Sequence, residues 1–131
     1  RAGRWSHVDA SARSERYSLN AFLAVLFLLS AVLLWFLTRR PYMSVALALS
    51  GVLIIIALLV ARWVKVSLHV AFAAFATALL WPIKLAVIAG IFVTAAVAWS
   101  RVVLGRHVAA DIIAGLVLGV ATGGAYDAWV V

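Results

Sequence analysis

The sequence has no cysteine, only two prolines and, among 131 residues, four acidic side chains and three histidines. Without cysteine there is no disulfide and no thiolate metal site. Charged residues of both signs make up 11% of the chain and fall in short stretches between apolar runs. No carboxylate cluster or His/Asp ligand set is visible, so no metal and no other cofactor is expected. No secretory signal pattern is visible either. What the chain has in quantity is hydrocarbon. Hydrophobic residues are 68% of it, against about 45–50% in globular proteins. Most of its surface is made for lipid, and the expected fold class is all-α, a polytopic transmembrane helical bundle. The net charge of +7 would suit nucleic acid, but the basic residues lie at the ends of apolar runs. There they meet lipid headgroups or anionic substrates, so the bilayer is the expected partner and nucleic acid is not.

A bilayer core takes about 20 apolar residues as helix. Residues 1–17 form a polar, interfacial lead-in, and residues 18–131 a membrane domain. The first span runs from about Ser18 to Thr38 and the second from about Tyr42 to Ala61. A single helix from Val66 to Trp99 would rise roughly 50 Å and strand Lys84 in mid-bilayer. The Trp81-Pro82-Ile83-Lys84 break divides it into spans of about Val66–Trp81 and Ile83–Trp99, and a fifth follows from about Val108 to Trp129. Trp35, Trp63, Trp81, Trp99 and Trp129 lie near these ends, as an interfacial aromatic belt requires. The first two spans are rich in Leu, Val and Ile and are expected to face lipid. The last three are rich in Ala and Gly, including Gly115-x3-Gly119-x3-Gly123, and are expected to pack closely as a core.

Five spans fix the side of every loop. Residues 1–17, 62–69 and 99–107 share one face of the membrane, and Arg39, Arg40, Lys84 and the C-terminus share the other. His69, Arg101 and His107 can therefore converge with Lys65, Arg62, Arg13 and Arg16. Within that group, residues 100–111 read S-R-x5-H-x3-D. Asp111 lies one helical turn beyond His107 on the same face, and an aspartate inside a span is expensive and usually functional. The carboxylate would fix one imidazole nitrogen and leave the other free as a nucleophile. Arg101 brings a guanidinium able to grip phosphate oxygens bidentately, across a Gly105 that permits a turn.

The segment SRVVLGRHVAADIIAG, Ser100 to Gly115, resembles the third signature of the type-2 phosphatidic acid phosphatase superfamily. That resemblance implies that Arg101 binds phosphate, with Ser100 beside it. It makes His107 the nucleophile, forming a phosphohistidine, and gives Asp111 the task of orienting it. The family's second signature, P-S-G-H at the start of a helix, is matched in part by Val66-Ser67-Leu68-His69. By resemblance His69 is the general acid and Ser67 a phosphate ligand. The first signature, K-x6-R-P, is not matched. Arg40-Pro41 has Leu33 where the lysine belongs and lies on the wrong face, so Arg39 and Arg40 read as headgroup anchors. Its cations would come from Lys65, Arg13 or Arg16, each of which has an interfacial anchor as its alternative. Arg62 reads as an anchor, Arg106 as solvated, and His7 and Asp9 carry no assigned chemistry. The resemblance spans about residues 65–119 and implies a core of six spans, so an additional span before Arg1 is an open expectation.

The function these residues imply is a metal-independent, integral membrane lipid-phosphate phosphatase. Its substrate would be a polyprenyl (di)phosphate or a phosphatidic-acid-like lipid. The alternatives are a lipid phosphotransferase of the same fold and a catalytically silent binder of anionic lipid. The active face holds eight of the eleven Lys and Arg, which taken as topology signals would place it in the cytoplasm. Read as phosphate ligands they are no such signals, and the resemblance implies a cell-membrane protein with its site on the extracytoplasmic side. The sequence does not specify the oligomeric state.

Overall fold

A computed structural model describes the backbone of residues 2–130 and the side chains of residues 13–130, so His7 and Asp9 lie outside the described side chains. Among the described residues there are five α-helices and no strand: α1 (Ala2–Thr38), α2 (Pro41–Leu59), α3 (Leu68–Leu79), α4 (Lys84–Val103) and α5 (Ala109–Val130). Four of them, α1, α2, α4 and α5, are long and apolar enough to cross a membrane. This is an all-α integral membrane protein.

Each break has a local cause. Arg39 takes a left-handed φ of 51°, and Pro41 opens α2 at the position where its missing N–H costs nothing. The third helix ends ahead of Pro82, because a residue before proline is pushed out of the helical region. It begins after Ser67, whose extended backbone gives its N–H to the Asp111 carbonyl at 3.2 Å. The expected third span of Val66–Trp81 is thereby shortened to 12 residues, a rise of about 18 Å against a hydrocarbon core of about 30 Å. The fourth helix runs past Trp99 to Val103 and carries Arg101 in its last turn. The polar lead-in is continuous with the first span, since α1 runs unbroken from Ala2.

The glycine ladder of α5 lies directly on α3. A Cβ on Gly115 would stand 2.7 Å from the Ser67 carbonyl oxygen, one on Gly119 would meet Ala71 and Ala74, and one on Gly123 would meet Ala78. The two helices therefore run parallel in close contact, with their N-termini at the same end. At the other end Tyr42, in the first turn of α2, meets Trp129 edge-on with ring centroids 6.3 Å apart. The centre is built from Leu53 of α2 with Ala71 and Phe75 of α3, flanked by Leu118 and Tyr126 of α5.

One expectation is overturned. The second helix belongs to the core, burying Leu53, Ile54 and Ala57, whereas Thr94 is the only buried residue of α4. The fourth helix packs chiefly on α3, where the Thr94 and Thr77 hydroxyls meet at 3.1 Å beside Gly90. Richness in alanine let α4 approach one neighbour closely but did not surround it. All five belt tryptophans are exposed at or near helix ends, where an aromatic ring sits at the headgroup level.

Candidate active site

The site is assembled from three places: the end of α4, the link into α5 and the segment leading into α3. The end of α4 is a Schellman cap. Arg106 N–H donates to the Arg101 carbonyl at 3.0 Å and Gly105 N–H to Val102 at 3.0 Å, while Gly105 sits at φ 65°. Only glycine takes that conformation without strain. Gly105 thus turns the chain sharply enough for His107 N–H also to reach the Arg101 carbonyl, at 3.3 Å. Six residues of sequence separation become direct adjacency.

Asp111 lies in the first turn of α5, buried, where the helix N-terminus favours its negative charge. Its Oδ2 accepts two hydrogen bonds, from Val108 N–H at 3.2 Å and from His107 Nδ1 at 3.3 Å. The first is the return half of a capping box and fixes the carboxylate. The second pairs the imidazole with the carboxylate: an ionised Asp111 only accepts, and the tautomer that matches it puts the proton on Nδ1 and leaves the Nε2 lone pair free. Both side chains are 12% exposed.

The segment 62–67 is tied to this unit twice. Ser67 N–H binds the Asp111 carbonyl, and the exposed Lys65 donates from Nζ to the Arg106 carbonyl at 3.2 Å. Lys65 therefore stands beside the residue that precedes His107. His69 follows in the first turn of α3, exposed and outside the four spanning helices. Partial desolvation first, and then the charges of Arg101 and His107, hold its pKa below the ordinary 6.5. Those two charges act on it because the fold brings all three together.

Two polar atoms here are buried and have no hydrogen-bond partner: Ser67 Oγ and Arg101 Nε. Ser67 precedes α3 as its N-cap residue, yet its hydroxyl caps nothing. A buried unsatisfied donor costs about 1–3 kcal/mol, so both atoms are under-satisfied as the chain stands.

The remaining sequence candidates are placed less closely. Ser100 is half-buried, and its hydroxyl is engaged with the Val97 carbonyl at 2.7 Å. Arg13 and Arg16 lie exposed on α1. Arg62 stacks over the Trp63 ring at 3.8 Å, an arrangement suited to an interfacial anchor. Among the described residues no three His, Asp or Glu stand together in a way that could hold a metal ion. The Asp111 backbone carbonyl, which positions Ser67, gives no signal in the sequence, because a main-chain acceptor is the same in every residue.

Compared with known families, residues 63–131 match the model of the PAP2 superfamily. That stretch contains Lys65, Ser67, His69, Arg101, His107 and Asp111 and leaves α1, α2, Arg13, Arg16 and Arg62 outside it. No curated protein and no solved structure matched.

Proposed function

This chain belongs to the PAP2 superfamily, a family of phosphatases, and from that premise we propose that it hydrolyses the phosphate ester or diphosphate of a membrane lipid through a phosphohistidine on His107. The observation that carries the proposal is the pair of orphaned donors. Ser67 Oγ and Arg101 Nε are buried without partners in the same cluster as a histidine whose Nε2 is free and whose Nδ1 is held by Asp111. An anion with several oxygens meets both needs, and the free nitrogen is a nucleophile for its central atom.

The steps follow from the residues. Arg101 and Ser67 hold non-bridging oxygens and stabilise the charge that grows on them in the transition state. Lys65 adds a second cation, filling the place of the unmatched first signature, by exchanging the Arg106 carbonyl for a phosphate oxygen. His107 Nε2 forms a bond to phosphorus as the P–O bond to the lipid breaks, and Asp111 stabilises the imidazolium that results. His69 gives its proton to the departing oxygen. Water then attacks phosphorus while giving a proton to His69, which restores the acid; the P–N bond breaks, its electron pair returns to His107 Nε2, and inorganic phosphate leaves. Ser100 joins the phosphate ligands only if its hydroxyl turns away from Val97. Arg13 and Arg16 contribute by drawing the anionic headgroup toward this face. The lipid class, polyprenyl or glycerolipid, is left to the substrate panel. The extracytoplasmic placement of the site is part of the same proposal.

The test is phosphate release from a panel of lipid phosphates in detergent, with EDTA present, for wild type and His107→Ala. Metal-independent release that disappears in the variant supports the proposal. Release that survives in His107→Ala refutes the nucleophile. Transfer of the phosphoryl group to an added alcohol in place of water would assign the phosphotransferase instead. Retained lipid binding without release from any substrate would assign the silent binder.

A further inference from the structure

The fourth helix packs chiefly on α3 and buries only Thr94, halfway along its 20 residues. There the Thr94 hydroxyl meets that of Thr77 at 3.1 Å. Each hydroxyl also reaches a carbonyl of its own helix, Thr94 that of Gly90 at 2.8 Å and Thr77 that of Ala73 at 2.7 Å. Three contacts share two hydroxyl hydrogens, so one of the pair donates across the interface and shares or forgoes its own carbonyl. The Thr77 side chain also fills the notch over Gly90, where a Cβ would stand 2.6 Å from its Oγ1.

That contact lies on the side of α4 that carries the phosphate ligand. Gly90, Thr94, Val97 and Arg101 are spaced by four, three and four, which puts them on one helix face, and none of them is exposed. The two helices are joined through residues 80–83 and run antiparallel. Moving along α4 from Thr94 to Arg101 is therefore moving along α3 from Thr77 back to Val70, roughly 10 Å on each helix. The register set at the threonines brings Arg101 level with the first turn of α3. The Arg101 charge acting on His69 agrees with that placing.

Apolar contact alone would not fix this register. Lipid tails are as apolar as the alanine and valine side chains of α4, so sliding or turning the helix by one residue costs little in transfer. A hydroxyl pair has a direction, and a notch has a position. The other joints of the site leave the same freedom open: the cap at Gly105 ties α4 to α5 only at its tip, and the Ser67 strap ties α5 to α3. We propose that Thr77 and Thr94 are positioning residues for the reaction, holding α4 in the register that aims the Arg101 guanidinium at a phosphate beside Ser67. The proposal rests on the phosphatase reading for what Arg101 grips and adds what holds Arg101 in place.

Thr77→Val and Thr94→Val keep the branched shape and break only the cross-helix bond, since the remaining hydroxyl still has its own helix carbonyl. Each should lower kcat/KM about 10-fold, less than the ~100-fold of a full 1 Å misplacement, on the better of a short-chain phosphatidic acid and a polyprenyl diphosphate. The double variant should be no worse than either single one, because both remove the same contact. Thr77→Ser and Thr94→Ser should keep the wild-type rate. So should Thr122→Val, which alters a buried threonine bonded to its own helix at the Leu118 carbonyl. A second readout needs no turnover. The chain has three histidines, and the His69 imidazole, assigned with His69→Gln, is titrated by NMR in the same detergent. Desolvation, then the Arg101 and His107 charges, keep its pKa below 6.5. Withdrawal of the guanidinium in the Val variants should therefore raise it, and the Ser variants should not. Wild-type turnover in both Val variants overturns the positioning role. Lost turnover with the His69 titration unmoved, or with Thr122→Val equally slow, overturns it too. A His69 shift in the Val variants, with no phosphate release even from wild type, keeps the positioning and removes the phosphatase.

Discussion

Gly119 lies about 12 Å along α5 from Asp111 and touches no residue of the catalytic group, yet Gly119→Ala should damage catalysis more than stability. A Cβ there would fall on the Ala71 carbonyl oxygen, 2.7 Å from the Ala74 Cβ and 3.1 Å from the Ala71 carbonyl carbon. None of these is the end of a flexible side chain, so no rotamer change relieves the clash. Restoring carbon–carbon contact to the optimal ~3.5–4.0 Å requires α3 and α5 to part by roughly 1 Å. Overpacking of this kind costs about 1–3 kcal/mol, and alanine returns about 1 kcal/mol in helix propensity. The net loss is therefore about 0–2 kcal/mol, and the bundle survives. The catalytic group does not tolerate the same movement, because Ser67 and His69 ride on α3 while His107 and Asp111 ride on the start of α5. A displacement of 1 Å in such a group costs on the order of 100-fold in rate. Thermal unfolding in detergent and phosphate release on the same preparation measure the two effects separately. Gly124→Ala is the control. Nothing lies within 4 Å of that Cβ, so it should stabilise the protein by about 0.5–1 kcal/mol and leave turnover alone. A Gly119→Ala protein with wild-type turnover would refute the claim that the ladder sets the site's geometry.

Asp111→Asn keeps the shape but lets Nδ1 bind an amide in either tautomer, so release should fall at least on the order of 100-fold, with unfolding little changed; rapid-quench detection of phosphoenzyme would show where the loss falls. Gly105→Ala forces a side chain into the left-handed region at a cost of about 1–2 kcal/mol, and since nothing lies within 4 Å the loss should appear as strain, lowering the unfolding temperature and displacing His107 from Arg101. Lys65→Ala should raise KM, whereas Arg62→Ala, which loses only its stack on Trp63, should not; equal effects would make both residues plain anchors. A general acid works only while protonated, and the His69 pKa lies below 6.5. The kcat/KM profile, corrected for titration of the substrate phosphate, should therefore fall as pH rises through a midpoint below 6.5. A limb centred above that value would remove His69 from the role.

What the sequence could show, and what it could not, divides along a physical line. Chemistry carried by side-chain type and helical spacing was legible: an imidazole and a carboxylate four residues apart on one helix face predict the His107–Asp111 contact before any coordinates exist. Relative helix direction was legible too, because counting the chain's reversals makes the third and fifth helices parallel, as their contact shows. Helix ends were less so. Trp99 looked like the end of a span because tryptophans gather at interfaces, but the helix continues to Val103, since what terminates it is backbone geometry at Gly105. That glycine already stood inside the motif, and its meaning as a cap required knowing which carbonyls it left to be satisfied. Which helices form the core was misjudged for the same reason. Alanine content reports how closely two helices can approach, and it says nothing of how many neighbours a helix has, so α4 stayed largely in lipid while α2, with its leucines and isoleucines, went inside. The least visible element is the strap from Ser67 N–H to the Asp111 carbonyl. It fixes where the second histidine stands relative to the first, and neither group in that bond varies with sequence. In a site built from three separate segments, the residues specify the reaction and the main chain sets the distances at which it runs.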